Sequence, residues 1–254
     1  MSSFGYSRFA KHYDLLTGNV DYDEIADMYD RLITQYGRLG GTLLDLGCGT
    51  GSLSERMCRK GYDVIGLDAS GDMLSVADMK KNESGLDIQY VCQDMTALEL
   101  YGRVDYTVSS LDCLNHLQGE KELRRTFARV SEYTEEGGLF IFDMNTLRKH
   151  REVLSDNCFI YEEEDVFCVW QNFFDEETGC VEISLDFFEM DEEGRYDRYC
   201  EDFAEMAYPI ESVGKWLGEA GFELLCVKDG FSMNEGSEES ERVVFCARKV
   251  KDKE

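Results

Sequence analysis

Basic residues are scarce in this chain: 26 lysines and arginines stand against 53 aspartates and glutamates, a formal net charge of −27. Phosphate groups are gripped by lysine and arginine, so the deficit argues against nucleic acid and against an anionic membrane surface as partners. No apolar run reaches the roughly 18 residues that a membrane helix needs. The opening Met-Ser-Ser-Phe-Gly-Tyr-Ser-Arg lacks the apolar core of a secretory signal, which leads to the expectation of a cytoplasmic protein. Histidines number three, and none of the ten cysteines forms a Cys-x-x-Cys pair, so no metal site is expected. Cys92, Cys113 and Cys246 sit inside apolar runs, where cysteine acts as a small hydrophobe in a reducing compartment. Pro209 is the only proline, and no repeat or low-complexity segment interrupts the chain.

What remains is a chain of 254 residues, 43% apolar, long enough for one domain with an insertion or for two domains. Strand-like and helix-like runs alternate from 41 to 148. The strands read as Thr42–Leu46, Asp63–Leu67, Asp87–Val91, Tyr106–Ser110 and Leu139–Asp143. Helices lie between them at 51–60 (N-cap Thr50 or Ser52), 71–81 (behind Ser70) and 119–133, where Leu123, Phe127 and Val130 share a face. Such alternation implies a parallel sheet covered by helices on both sides. After 150 the pattern becomes alternating strands with acidic, glycine-tipped turns at Asp175–Gly179 and Asp191–Gly194, the signature of three or four antiparallel strands. A helix at about 211–220 and two strands, Phe222–Lys228 and Arg242–Arg248, then complete the main sheet. Residues 1–150 and 209–254 therefore read as one domain, with 151–208 as an inserted antiparallel lid.

The densest signal is Gly41-Thr-Leu-Leu-Asp-Leu-Gly-Cys-Gly-Thr-Gly51. An apolar strand breaks into glycines at alternate positions, Gly47, Gly49 and Gly51. Glycine permits positive φ and the approach of a ligand with no Cβ in the way. A strand that ends in such a loop and enters a helix cradles a cofactor in open α/β sheets. Asp45 puts a carboxylate at the strand tip, better suited to an ammonium than to a pyrophosphate. Asp68 ends the second strand and can accept ribose hydroxyls. Asp94 follows the third and can accept from an adenine amine, with Met95 on the ring face. Taken singly, each has a plainer reading: a tight turn, a helix N-cap, a solvated loop acid. Their force lies in falling at successive strand tips, which meet at one crevice.

With Asp45 ahead of Gly-Cys-Gly-Thr-Gly, the sequence resembles the class I S-adenosylmethionine-dependent methyltransferases. The likeness runs through Leu43–Gly51, Asp68, the Gly-Asp-Met-Leu segment at 71–74, Gln93-Asp-Met95 and Ser109–His116, over residues 1–148 and again from about 210 to 249. The Tyr6–Asp14 segment looks like the opening of small-molecule methyltransferases. Leu111–His116 is similar to a bacterial subgroup with an antiparallel lid after strand 5, to which glycine and amino-sugar N-methyltransferases are related. The resemblance implies a Rossmann-like, mostly parallel sheet of seven strands with helices on both faces, S-adenosylmethionine as cofactor and a small-molecule acceptor. It also implies roles: Asp45 and the Gly47 backbone, beside Cys48, for the methionine ammonium; room for the cofactor at Gly49 and Gly51; Asp68 for the ribose. Ala69, Ser70, Met73, Asp94 and Met95 would line the adenine site, Leu111 and Asp112 would edge the sulfonium, and Tyr13 and Tyr6 would close over it.

His116 is the one histidine expected near the reacting end, and its near-neutral intrinsic pKa suits a base, although a histidine on the helix after strand 4 can be merely structural. Asp112 and Asn115 are candidates for polar contacts with the acceptor; His12 and His150 lack comparable context. The tyrosines spaced by seven before the first strand read as a helix stripe packed on the sheet, or, with Tyr6, Phe9 and Tyr13, as a cap. Between Arg151 and Tyr208 lie 19 acidic and 3 basic residues. They form a solvated outer face or a field that draws in an amine. Two other functions fit less of the pattern: a non-catalytic S-adenosylmethionine-binding module or regulator, and a nicotinamide oxidoreductase. The acceptor and the oligomeric state are not encoded legibly.

Overall fold

The computed structural model describes residues 10, 12–14, 17–38, 40–162 and 165–250. Tyr6 and Phe9, expected in the cap, lie outside the described residues. Helix α1 (Tyr22–Tyr36) leads into β1 (Thr42–Leu46), α2 (Ser52–Arg59), β2 (Asp63–Asp68), α3 (Gly71–Ser84) and β3 (Ile88–Cys92). Next come β4 (Val104–Ser109), a short 3-10 turn (Cys113–His116), α4 (Glu120–Tyr133) and β5 (Thr134–Asn145). One π-helical turn (Lys149–Leu154) opens β6 (Cys158–Glu162), β7 (Val166–Asp175), β8 (Cys180–Met190) and β9 (Tyr196–Met206). Helix α5 (Ile210–Glu219), β10 (Phe222–Asp229) and β11 (Arg242–Lys249) close the chain.

Seven strands form one sheet in the order β10-β11-β5-β4-β1-β2-β3, in which β11 runs antiparallel to both of its neighbours. The remaining four form a separate antiparallel sheet, β6-β7-β8-β9. The chain order reverses between β1 and β4, so the crevice for a ligand opens at the carboxyl ends of those strands.

Strand periodicity sorts the main core into two layers. Leu44, Leu46, Phe140, Phe142 and Phe245 pack on one face with Phe127 of α4 and Leu217 of α5. Leu43, Leu139, Ile141 and Val244 point the other way, against Ile25, Tyr29, Leu32 and Ile33 of α1. Burial on both faces is why β1 reads as an unbroken apolar run. The smaller sheet buries one face only: Val181, Ile183, Leu185 and Phe187 alternate inward along β8, over Leu154 and Cys168.

Two local expectations are corrected. Neither Thr50 nor Ser52 caps α2: Gly51 does, at φ +76°, with no side-chain cap. Thr50 instead donates its hydroxyl to Asp14, and Ser52 Oγ accepts from Lys80. Strand β5 is longer than its apolar run, because Thr134 pairs with Val104 and Asn145 with Arg242 beyond it. The tyrosine stripe packs as a helix face, with Tyr29 fully buried and Tyr22 and Tyr36 at its margins.

Candidate active site

Asp45 is 1% exposed at the end of β1. Ser54 of α2 donates to Oδ2 at 2.5 Å, and Oδ1 has no hydrogen-bond partner among the described residues. Burial, with Asp68 adding repulsion, pushes the Asp45 carboxyl up to about 7. A buried carboxylate oxygen without a donor fits a cation that arrives from outside the fold.

The three glycines differ in why they must be glycine. All have positive φ: +78°, +53° and +76° for Gly47, Gly49 and Gly51. A Cβ on Gly47 would fall 2.0 Å from Cys113 Sγ, and one on Gly51 would fall 2.3 Å from the Tyr90 hydroxyl. The expectation that Gly51 keeps space for a ligand is thus corrected, since Tyr90 fills that space. Only Gly49 faces an opening, with the Tyr13 ring 4.0 Å from where its Cβ would be. Tyr13 therefore lies over the loop, and burial raises its phenol well above the usual value. Cys48 is buried beside it, and its thiol is likewise raised by burial.

Asp68 organises the loop it was expected to serve. Its Oδ2 accepts from Gly49 N–H at 2.9 Å and its Oδ1 from Ser70 N–H at 2.8 Å. Burial raises this carboxyl, and those N–H donors pull it back. Ser70 caps α3 through Met73 N–H, Met73 is buried, and Ala69 is exposed. Asp94 is exposed and caps the turn at Met95–Ala97 through Thr96 N–H. The Met95 methyl lies 3.4 Å from the Cβ position of Gly47. Asp45, Asp68, Met95 and Tyr13 thus lie around one glycine loop.

The segment after β4 holds the main surprise. Leu111 and Asp112 adopt left-handed backbone at φ +57° and +54°. For residues with side chains this costs about 1–2 kcal/mol each. One carboxylate holds both: Asp143, at the end of β5, accepts from Leu111 N–H at 2.7 Å and from Asp112 N–H at 2.9 Å. Tyr29 and Arg242 complete the coordination of Asp143. Arg242 also pairs with Asp112 Oδ1. Burial works to raise the Asp112 carboxyl, but Arg242, Lys149 and His116 outweigh it and hold it well below the usual range.

Asn115 is corrected as a candidate for acceptor contact. It is fully buried, its amide donates to the carbonyls of Asn145 and Met206, and its oxygen accepts from Asn145 N–H. His116 is exposed and packs edge-on against Phe203 of β9, with ring centroids 5.2 Å apart. Asp112, His116 and Glu205 each bring one oxygen or ring nitrogen within 4.8 Å of the others. His150, dismissed by sequence reasoning, is fully buried with Nε2 3.4 Å from Glu205. His12 is also buried, stacked on Phe187. Sequence reasoning missed Asp143, Lys149, Glu205 and Arg242. Only Asp143 carried a signal, as an acid at a strand tip like Asp45 and Asp68.

A sheet of this order with an acid-tipped glycine loop at its switch point defines a nucleoside-cofactor-binding transferase fold. Comparison with known proteins narrows it. The methyltransferase-domain family matches residues 43–138. A protein of Geobacillus sp. (strain WCH70), named as a methyltransferase, is 36% identical over 96% of this chain and 99% of its own. YqeM of Bacillus subtilis (strain 168), also named as a methyltransferase, is 34% identical over 97% of this chain and 98% of its own. The crystal structure of an S-adenosylmethionine-dependent methyltransferase from Clostridium acetobutylicum ATCC 824 superposes with a TM-score of 0.86 at 32% identity, covering 97% of this chain and 99% of that one. The sugar N-methyltransferase KedS8 from Streptoalloteichus sp ATCC 53650 shares the fold, with a TM-score of 0.77 at 18% identity over 94% of this chain and 93% of its own.

This chain belongs to the class I S-adenosylmethionine-dependent methyltransferases. It is an enzyme whose cofactor is S-adenosylmethionine, and the donorless Oδ1 of Asp45 and the opening at Gly49 fit that group. No helix among the described residues is long and apolar enough to cross a membrane.

Proposed function

We propose that this methyltransferase acts on a nitrogen or oxygen of a small molecule held between the carboxyl edge of the main sheet and the smaller sheet, with residues 151–208 as its lid. The observation that carries this reading is the meeting of Asp112 and His116, from the strand-4 segment, with Glu205 of β9. Polar groups from the cofactor domain and from the insertion converge beside the glycine loop, which suits a site completed by both.

Bound S-adenosylmethionine supplies a methyl already activated on a sulfonium sulfur. The chain's task is then to align the acceptor and exclude water. Asp45 and the Gly47 backbone would hold the methionine ammonium, Asp68 the ribose hydroxyls, and Asp94, Met95, Ala69, Ser70 and Met73 the adenine. Leu111 and Asp112 would edge the reacting end, and Tyr13 would cover it. His116, exposed at that end, would take a proton from an acceptor that arrives protonated.

An amine is the acceptor class that the acidic lid supports. Most lid acids described are exposed and suit a solvated face, and Glu205 alone among them is buried. The ten free cysteines support work in a reducing cytoplasm. The test is calorimetry with S-adenosylmethionine and S-adenosylhomocysteine, followed by methyl transfer to a panel of amines and hydroxyl compounds. Cofactor binding with turnover of a small amine is expected; turnover only on a macromolecule would refute the reading.

A further inference from the structure

Glu205 is 2% exposed, at the end of β9, where the insertion rejoins the main domain. Its Oε2 accepts from Asn145 Nδ2 at 2.8 Å and lies 3.4 Å from His150 Nε2. His150 Nδ1 is 2.9 Å from the carbonyl of Gly179, in the β7–β8 turn. A carbonyl can only accept, so Nδ1 carries a proton. Nε2 then lies within ion-pair distance of the Glu205 carboxylate without a hydrogen bond to it among the described residues. Buried carboxylates are costly unless hydrogen-bonded or paired, and on this one a single oxygen takes the Asn145 bond and faces His150. Its Oε1 has no hydrogen bond among the described residues.

We propose that Glu205 is the acceptor-recognition carboxylate of this site, that His150 and Asn145 are its positioning residues, and that its ligand is an amine that arrives protonated and gives a proton to His116 before its nitrogen lone pair takes the methyl. The proposal rests on the acceptor cleft described above. Asp112 Oδ1 is held by Arg242, and the cluster brings one oxygen each from Asp112 and Glu205 together with a ring nitrogen of His116. Three acceptor atoms in a small volume match the three N–H donors of an ammonium; a hydroxyl brings one donor. A divalent cation matches poorly. Arg242 is already fixed on this set, and the Lys149 ammonium, whose charge bears on both Asp112 and Glu205, is fixed on Asn145 Oδ1. The groups facing the His150–Glu205 pair are therefore Asn145 and Lys149 after β5, Asp112 and His116 after β4, and Cys180 of β8.

The experiment uses sinefungin, an S-adenosylmethionine analogue in which an ammonium-bearing carbon replaces the methylsulfonium, so that an amine sits at the reacting end. Its affinity is compared with that of S-adenosylhomocysteine in the wild-type protein and in Glu205→Gln. The wild type is expected to prefer the amine analogue at least tenfold. Glu205→Gln is expected to abolish that preference while S-adenosylhomocysteine affinity stays within threefold. A preference absent from the wild type or intact in the variant overturns the proposal, as does an equal loss for both ligands. Failure of the wild type to bind either ligand refutes the cofactor reading itself, and this one with it.

Protein labelled in its three histidines supplies a second readout. The His150 ring signals are expected to move in Glu205→Gln in the complex with S-adenosylhomocysteine, while those of His12 hold still. His150 signals unmoved by Glu205→Gln remove its positioning role.

Discussion

Arg242, the first residue of β11, reaches Asp112 in the strained segment after β4, with its guanidinium 2.5 Å from Oδ1. The same guanidinium also grips Asp143, so one side chain neutralises two carboxylates that shape the segment after β4. Both contacts are nearly buried, which sets the energetic scale.

Replacing Arg242 with Met leaves Asp112 and Asp143 charged and uncompensated. Breaking one side of a buried pair costs about 3–5 kcal/mol. Because Asp112 is depressed in the folded state, the stability it lends is complete above the unfolded carboxyl value, about 4, and is lost as pH falls below it. Urea unfolding from pH 3 to 8 should show a deficit in Arg242→Met that is full at neutral pH and narrows in acid. A deficit that does not vary with pH would mean that packing, not charge, explains it.

Asp45 behaves in the opposite sense. Its folded value is raised to about 7, so the cofactor-free protein loses stability as pH rises from the unfolded carboxyl value through 7. Asp45→Asn should therefore match the wild type near pH 4 and exceed it at pH 8 when no ligand is present. Calorimetry should show the reverse for function: weaker cofactor binding in the variant, and wild-type affinity that climbs with pH toward 7. Equal stability of the two proteins at pH 8 would count against an unpartnered, buried carboxylate.

Gly51→Ala combines a left-handed backbone with a clash against the Tyr90 hydroxyl. The backbone part costs about 1–2 kcal/mol. Tyr90→Phe removes the obstructing oxygen and should alone cost little. In the double variant the penalty of Gly51→Ala should shrink but stay above the backbone part, because Tyr90 Cζ and Ala77 Cβ still lie 3.0 and 3.1 Å from the new Cβ. Denaturation of the four proteins measures this coupling, and strict additivity would refute the clash.

Asp68→Ala removes the acceptor of Gly49 and Ser70 N–H as well as the expected ribose partner. Cofactor affinity should fall by about 1.5–3 kcal/mol, the range for hydrogen bonds to a charged group. Asp68→Asn keeps one oxygen acceptor and should fall less. Affinity unchanged in Asp68→Ala would remove Asp68 from the ribose role.

The cofactor half of the site was legible because its parts are local. Asp45, Gly47, Gly49 and Gly51 lie within seven consecutive positions, and Asp68 and Asp94 each close a strand of obvious apolar pattern. The acceptor half was not, because its partners are distant in the chain. Arg242 follows Asp112 by 130 positions, and no local pattern announces the pair. Glu205 was one of 19 acids in the insertion, and only folding distinguishes the buried one from the solvated rest. His150 looked idle because its partners, Gly179 and Glu205, arrive with strands that had no assigned register. Asn115 looked functional because an amide near a strand tip often is; its hydrogen bonds are all spent within the fold.

Those spent hydrogen bonds also anchor the smaller sheet. The chain departs into the smaller sheet just after Asn145 and returns at Met206, and the single Asn115 amide clasps both points. An excursion whose two ends are already pinned side by side can change its length at little cost in closure entropy. The β5–β11 ladder beside it is registered by its own pairs, from Asn145 with Arg242 to Leu139 with Arg248. A change of length in the excursion would therefore leave the glycine loop and the register of the main sheet as they are.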